Sequence, residues 1–123
     1  MSLTGYTSSK ASTVTCTNYT FSGQYTNQDY ISKNFTNIPL NHYSILVRFS
    51  VGYIGTWGLN DSLRLNLQDS AQSLLYDYHY SCDNIQNICG EVGVNTSDCI
   101  RIREYTMTHN TSYISLNFSA LTT

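Results

Sequence analysis

The segment Tyr43-Ser-Ile-Leu-Val-Arg-Phe-Ser-Val-Gly-Tyr-Ile54 decides the fold. Apolar side chains recur at every second position along it, and successive side chains of an extended strand point to opposite faces. One face therefore carries Ile45, Val47, Phe49, Val51 and Tyr53. Such strict alternation over a long segment is typical of a central β-strand with one buried face.

Six further segments show the same alternation, namely Thr13–Phe21, Tyr30–Thr36, Ser62–Gln68, Leu74–Tyr80, Ile100–Met107 and Tyr113–Ser119. Turn-forming residues separate most of them, and no eleven-residue window shows the apolar stripe of a helix. We therefore predict an all-β protein, an antiparallel β-sandwich of the jelly-roll or immunoglobulin-like kind with about seven strands. The apolar phase changes within Ile100–Met107, which predicts a β-bulge near Glu104.

The chain divides into an arm and one domain. Residues 1–12 are rich in serine and threonine, and they predict a flexible or strand-exchanging N-terminal arm. Residues 13–123 form the predicted β-sandwich domain. Ser81–Asp98 lacks a clear strand pattern and contains two cysteines, so we predict a loop that is constrained by disulfide bonding.

Composition excludes several classes of function. Only 11% of the 123 residues are charged and the formal net charge is −2, whereas serine, threonine, asparagine and tyrosine are abundant. Six basic residues make no phosphate-binding track, so nucleic acid is not an expected partner. No run of about 18 apolar residues predicts a membrane span, and Met1–Thr20 lacks the apolar region of a signal peptide.

Four cysteines, Cys16, Cys82, Cys89 and Cys99, allow three disulfide pairings. None stands in a C-x-x-C pair and the three histidines are scattered, so we predict no metal site and no cofactor. Two disulfides are the preferred interpretation, with Cys82–Cys89 as a local bond and Cys16–Cys99 as a long-range bond. Disulfides persist in oxidising compartments, which favours an extracellular or cell-surface location.

N-x-S/T sequons support the same location. They occur at Asn18, Asn34, Asn60, Asn95, Asn110 and Asn117. Asn34 and Asn117 fall on the polar phase of predicted strands, where a covalent glycan would project into water. We therefore expect these six asparagines to carry N-glycans.

The segment Tyr30–Trp57 resembles a β-sandwich module of large cysteine-rich surface proteins of ciliate-type protozoa. The residues that carry the resemblance are Phe35, Asn37, Ile38, Pro39, His42, Ile45, Val47, Phe49, Ile54 and Trp57. The resemblance implies an extracellular β-sandwich. The loop that follows the tryptophan is usually acidic in that family, whereas only Asp61 remains here, which argues against calcium binding. The family also tends to end in a further strand containing Trp-Gly, which this sequence does not show before Thr123.

No catalytic motif is present, so we predict a protein that is not an enzyme. The sequence contains neither the G-x-S-x-G nucleophile motif nor the H-E-x-x-H metal motif. His42 follows Pro39 at the start of a strand, where a turn-capping role is expected. His79 is expected on the surface, on the same face as Asp77.

Two functions remain open. In the first, the chain is a structural subunit of a surface coat or filament, a homo-polymer in which copies exchange β-strands through the arm. In the second, it is a carbohydrate-binding or adhesion module that uses Trp57, Tyr53 and nearby tyrosines as a stacking platform. Trp57 also has a structural interpretation, in which its side chain is a plug at the end of the core. The arm has an alternative interpretation too, as a disordered linker.

Overall fold

A computed structural model describes residues 5–10, 13–16, 19–23, 25–54, 57–82 and 98–122, with the side chain of Cys16 left out. These residues form nine β-strands. The strands are β1 (Tyr6–Ser8), β2 (Thr13–Cys16), β3 (Tyr19–Ser22), β4 (Tyr30–Phe35), β5 (Ser44–Tyr53), β6 (Ser62–Gln68), β7 (Ser73–His79), β8 (Cys99–Thr108) and β9 (Ile114–Leu121). The prediction of an all-β fold with antiparallel pairing is confirmed.

The strands form three antiparallel sheets. The largest has five strands in the order β1–β4–β9–β6–β7, and two smaller sheets pair β2 with β3 and β5 with β8. β9 lies at the centre of the large sheet, bonded to β4 on one side and β6 on the other. β9 therefore pairs with two strands, β4 and β6, that are distant from it in sequence.

One core joins the large sheet to the β5–β8 pair. Its buried members come from β6, β7, β8 and β9, and they are Leu65, Leu67, Tyr78, Met107, Ile114 and Leu116. Ile45, Val47 and Phe49 of β5 pack against this cluster. The alternating face of the Tyr43–Ile54 segment is therefore the inner face, as its pattern predicts.

One prediction about strands is wrong at the N-terminal side. Thr13–Phe21 is not one strand, because β2 and β3 pair with each other antiparallel, from Thr13 opposite Ser22 to Cys16 opposite Tyr19. β1 adds a further strand inside the region predicted as the arm. Alternation alone does not reveal a chain reversal, since both arms of a hairpin carry the same period of two.

The predicted bulge near Glu104 is also wrong. β5 and β8 pair without interruption over ten residues, from Ser44 opposite Thr108 to Tyr53 opposite Cys99. In this register Ile102 points outward and is 59% exposed, while Arg103 points inward and lies over the ring of Tyr78. The inner face of β8 thus contains a long cationic side chain whose apolar stem packs against the core edge.

Candidate functional site

One edge of the large sheet is closed by β1, which belongs to the N-terminal arm. Tyr6, Thr7 and Ser8 stand opposite residues 33, 32 and 31 of β4. The N–H of Ser9 donates to the carbonyl of Tyr30 at 3.0 Å, and the N–H of Tyr30 donates to Ser9 Oγ at 2.8 Å. The edge position of β4 is therefore occupied by a strand of three residues.

β7 forms the opposite edge of the same sheet, and within the described residues it pairs only with β6. Leu75 and Tyr76 of β7 are exposed. Asp77 accepts two hydrogen bonds from Arg64, Nε at 2.7 Å and Nη2 at 3.0 Å, and these bonds hold the pKa of its carboxyl below its usual value. His79 is exposed, as expected. The unpaired side of a seven-residue strand offers backbone groups to another strand.

The predicted sugar platform at Trp57 and Tyr53 is wrong for Tyr53. Tyr53 is 0% exposed, so its ring has no face free to stack on a ligand. Trp57 is half-buried and packs edge-to-face on Tyr53, with the ring centroids 5.1 Å apart. Tyr80 packs on the other side of Tyr53 at 5.2 Å. This cluster supports the interpretation of Trp57 as a plug at the end of the core.

The described sequons lie where water reaches them. Asn34, Asn60 and Asn110 are exposed, and Asn117 is half-buried in the middle of β9. Asn18 and Asn95 lie outside the described residues. Asn117 stands between Ser32 and Asn66 on neighbouring strands, on the face that points away from the core. Glycosylation at these positions stays a prediction.

The expected disulfide pairing is wrong, because Cys82 is bonded to Cys99. Each cysteine takes one partner, so neither Cys82–Cys89 nor Cys16–Cys99 forms. The bond joins the residues after β7 to the start of β8 across 17 positions and, in the chain-entropy view, contributes about 3 kcal/mol. Cys89 and the side chain of Cys16 lie outside the described part, and among the three possible pairings the observed bond leaves only these two cysteines for each other.

Two histidines that are 67 positions apart in the sequence meet at one end of the molecule, which is formed by the β4–β5, β6–β7 and β8–β9 connections. His42 Nε2 lies 2.7 Å from His109 Nδ1, and their rings stack with centroids 4.9 Å apart. His42 Nδ1 contacts the carbonyl oxygen of Pro39, which agrees with the predicted turn-capping role. His109 Nε2 lies 3.0 Å from the carbonyl oxygen of Tyr113.

The donors of this histidine pair can be counted. A carbonyl oxygen only accepts, so His42 Nδ1–H donates to Pro39 and His109 Nε2–H donates to Tyr113. The Asp69 carboxylate lies 3.4 Å from His109 Nε2.

Asp69 is itself held by backbone groups. Its carboxylate is almost fully buried, and Oδ1 accepts the N–H of Ala71 at 2.7 Å and of Gln72 at 2.8 Å. Burial raises the pKa of Asp69, but these hydrogen bonds and the charge of His109 outweigh burial and lower it. All four ring nitrogens of the His42–His109 pair have partners, so the network ties three connections together and offers no free base.

Within the described residues, no group of three or more histidine, cysteine, aspartate or glutamate side chains is arranged to hold a metal ion. A membrane-crossing helix, long and apolar, is likewise not found among them. No family model matches the chain, and neither curated proteins nor solved structures include a significant match. The resemblance of Tyr30–Trp57 to the protozoan surface module therefore stays a prediction.

Proposed function

We propose that this chain is a non-enzymatic extracellular glycoprotein that serves as a structural subunit of a surface coat or filament, assembled by β-strand complementation between copies. The observation that supports it is the pair of edges of the five-stranded sheet. One edge is filled by β1, only three residues long, and the other is the side of β7 that pairs with no strand among the residues the structure describes. Short terminal strands and open edges are the parts that strand exchange uses.

We further propose that the sheets form a sandwich of the jelly-roll kind. The pairings are nested along the chain, because β6 pairs with β7, β5 with β8 and β4 with β9. Such nesting is what a long antiparallel ribbon gives when it rolls up, and β9 returning to β6 closes the roll. In this arrangement the arm lies beside β4, outside the nested strands.

Assembly requires the arm of one copy to occupy the β4 edge of the next. The contacts are those that β1 makes within its own chain, so exchange loses no pairing and is favoured by high concentration. The contact is head-to-tail and does not close on itself, so copies add in a row. Glycans at exposed Asn60 and Asn110, which lie outside the β1–β4 pair, would hinder side-to-side association while leaving the arm contact free.

A cysteine trap tests this assembly. Thr7 and Ser32 stand directly opposite each other in the β1–β4 pair, so Thr7→Cys with Ser32→Cys places two thiols in reach of a disulfide. At high protein concentration we expect oxidation to give a ladder of covalent dimers, trimers and larger species on a non-reducing gel. Thr7→Cys alone is the control and should give no product beyond a dimer. Crosslinked monomer as the sole product at every concentration would reject strand exchange.

A carbohydrate-binding or adhesion role is the second candidate, and one observation favours it. A depression of about 330 Å³ on the outer side of the large sheet is lined by Gln28, Tyr30, Asn117, Ser119 and Leu121. An exposed tyrosine beside amide and hydroxyl groups is the combination that sugar binding uses. A glycan on Asn117 would occupy this same depression, so binding of free sugar would require Asn117 to be unmodified. Affinity on a glycan array that Tyr30→Ala removes would support this candidate over the filament.

A further inference from the structure

A large aromatic cavity lies at the end of the molecule opposite the histidine pair. It has a volume of about 550 Å³ and lies between the β2–β3 hairpin, the start of β4 and the end of β5. Its walls are mainly apolar and include Phe21, Phe49, Val51, Leu63, Ile100 and Phe118. Cavities of this size accommodate small organic ligands in other proteins.

The hairpin forms one wall because β5 carries a glycine where the hairpin approaches it. A Cβ atom on Gly52 would lie 2.6 Å from the ring of Phe21, so only glycine permits this approach. The hairpin therefore packs directly against the end of β5, and the cavity lies beside this contact. The side chains that line this space come from all three sheets, so the cavity forms only in the folded chain.

Two polar side chains beside the cavity, those of Tyr25 and Asp29, already have hydrogen-bond partners within the chain. The hydroxyl of Tyr25 lies 2.5 Å from Ser22 Oγ and 3.0 Å from Ser8 Oγ. Asp29 Oδ2 accepts the N–H and the hydroxyl of Thr26, both at 2.9 Å. A ligand with charged or strongly polar groups would lose its hydrogen bonds to water, and the side chains of Tyr25 and Asp29 are already engaged in bonds of their own. An apolar ligand has no such cost and gains contact with the ring faces.

We propose that this aromatic cavity binds an uncharged apolar small molecule. The inference is distinct from the assembly proposal, because β1 contributes only Tyr6 to the lining and the apolar walls named above come from other strands. Water makes few hydrogen bonds on such walls, so displacing it by an apolar molecule favours binding. The protein would then carry an apolar compound within its extracellular fold.

Titration with N-phenyl-1-naphthylamine, an uncharged fluorescent probe, tests the proposal on the full chain. We expect a saturable rise in fluorescence with one probe per chain, reversed by 1-dodecanol and not by N-acetylglucosamine. Val51→Trp fills the cavity from β5 and should weaken probe binding at least about tenfold. Leu46→Trp is the matched control on the same strand; its side chain is exposed and lines no part of the cavity, so its affinity should equal that of the wild type.

Far-ultraviolet circular dichroism and thermal unfolding verify that each variant is folded. If Val51→Trp does not fold, Ala120→Leu, which fills the cavity from β9, replaces it. Absence of saturable binding to the wild-type chain would overturn the proposal, and so would a folded cavity-filling variant that binds the probe with wild-type affinity. Displacement by N-acetylglucosamine would also overturn it, because it would assign the cavity to sugars.

Discussion

Replacing Leu65 by alanine is expected to destabilise the protein by about 3.5 kcal/mol, since removal of a buried leucine loses its transfer free energy and leaves a cavity. Leu65 is 1% exposed and lies on β6, between Tyr76 of β7 and Phe118 of β9. Both neighbours belong to the large sheet, and the side chain packs in the core against β5 and β8. Urea denaturation followed by circular dichroism measures the loss as a lower midpoint at unchanged slope.

Leu46→Ala is the matched control for that prediction. It removes the same side chain from β5, but Leu46 is 57% exposed on the outer side of the strand. We expect a change within about 0.5 kcal/mol, as for most surface substitutions. Equal losses of stability in the two variants would contradict the assignment of Leu65 to the core and of Leu46 to the solvent-facing side of β5.

Most of the strands could be predicted because their apolar residues alternate. β6 has the predicted bounds, Ser62–Gln68, and β4 ends one residue earlier than predicted. These strands bury one face only, so burial leaves a period of two in the sequence. β7 and β9 are also found where alternation predicts them, with bounds shifted by one or two residues.

β8 shows why alternation fails where long polar side chains face inward. Its inner positions include Arg103 and Tyr105, while Ile102 faces the solvent. Arginine and tyrosine have apolar bodies that pack and polar ends that reach solvent or a ring, so a hydropathy pattern counts them on the wrong side. The apparent change of phase, interpreted as a bulge, is a change of residue type within a regular ladder.

The histidine pair could not be predicted, because His42 and His109 are 67 positions apart and neither has a neighbour in sequence that indicates the other. The segment quoted for the family resemblance does contain part of the reason. Asn37 has a positive φ of 57°, which asparagine tolerates, and Ile38 packs against the core. These residues shape the connection that brings His42 to His109. The cavity could not be predicted for the same reason, since its walls come from seven strands.

Replacing His109 by alanine is expected to cost about 3 kcal/mol, because it removes the ring beside the buried Asp69 carboxylate and leaves His42 Nε2 without its ring partner. His109 is 1% exposed, and its backbone N–H, which alanine retains, donates to the carbonyl of Tyr43. His79→Ala is the control, since His79 is an exposed histidine on β7. Urea denaturation at pH 7 should show the loss in the first variant only; a similar, small effect of both would contradict a structural role for the pair.

Acid titration isolates the part of this network that depends on the charge of Asp69. Its pKa in the folded protein is below the value of about 3.9 expected in the unfolded chain. Ionised Asp69 therefore stabilises the fold fully above about pH 4, and this contribution is lost as pH falls through the folded-state pKa. Asp69→Asn cannot titrate, so it should be less stable than wild type at pH 7 and lose less stability between about pH 4 and pH 2. Equal losses of stability in the two proteins over that range would contradict the prediction, because they would show that the ionised Asp69 carboxylate does not stabilise the folded state.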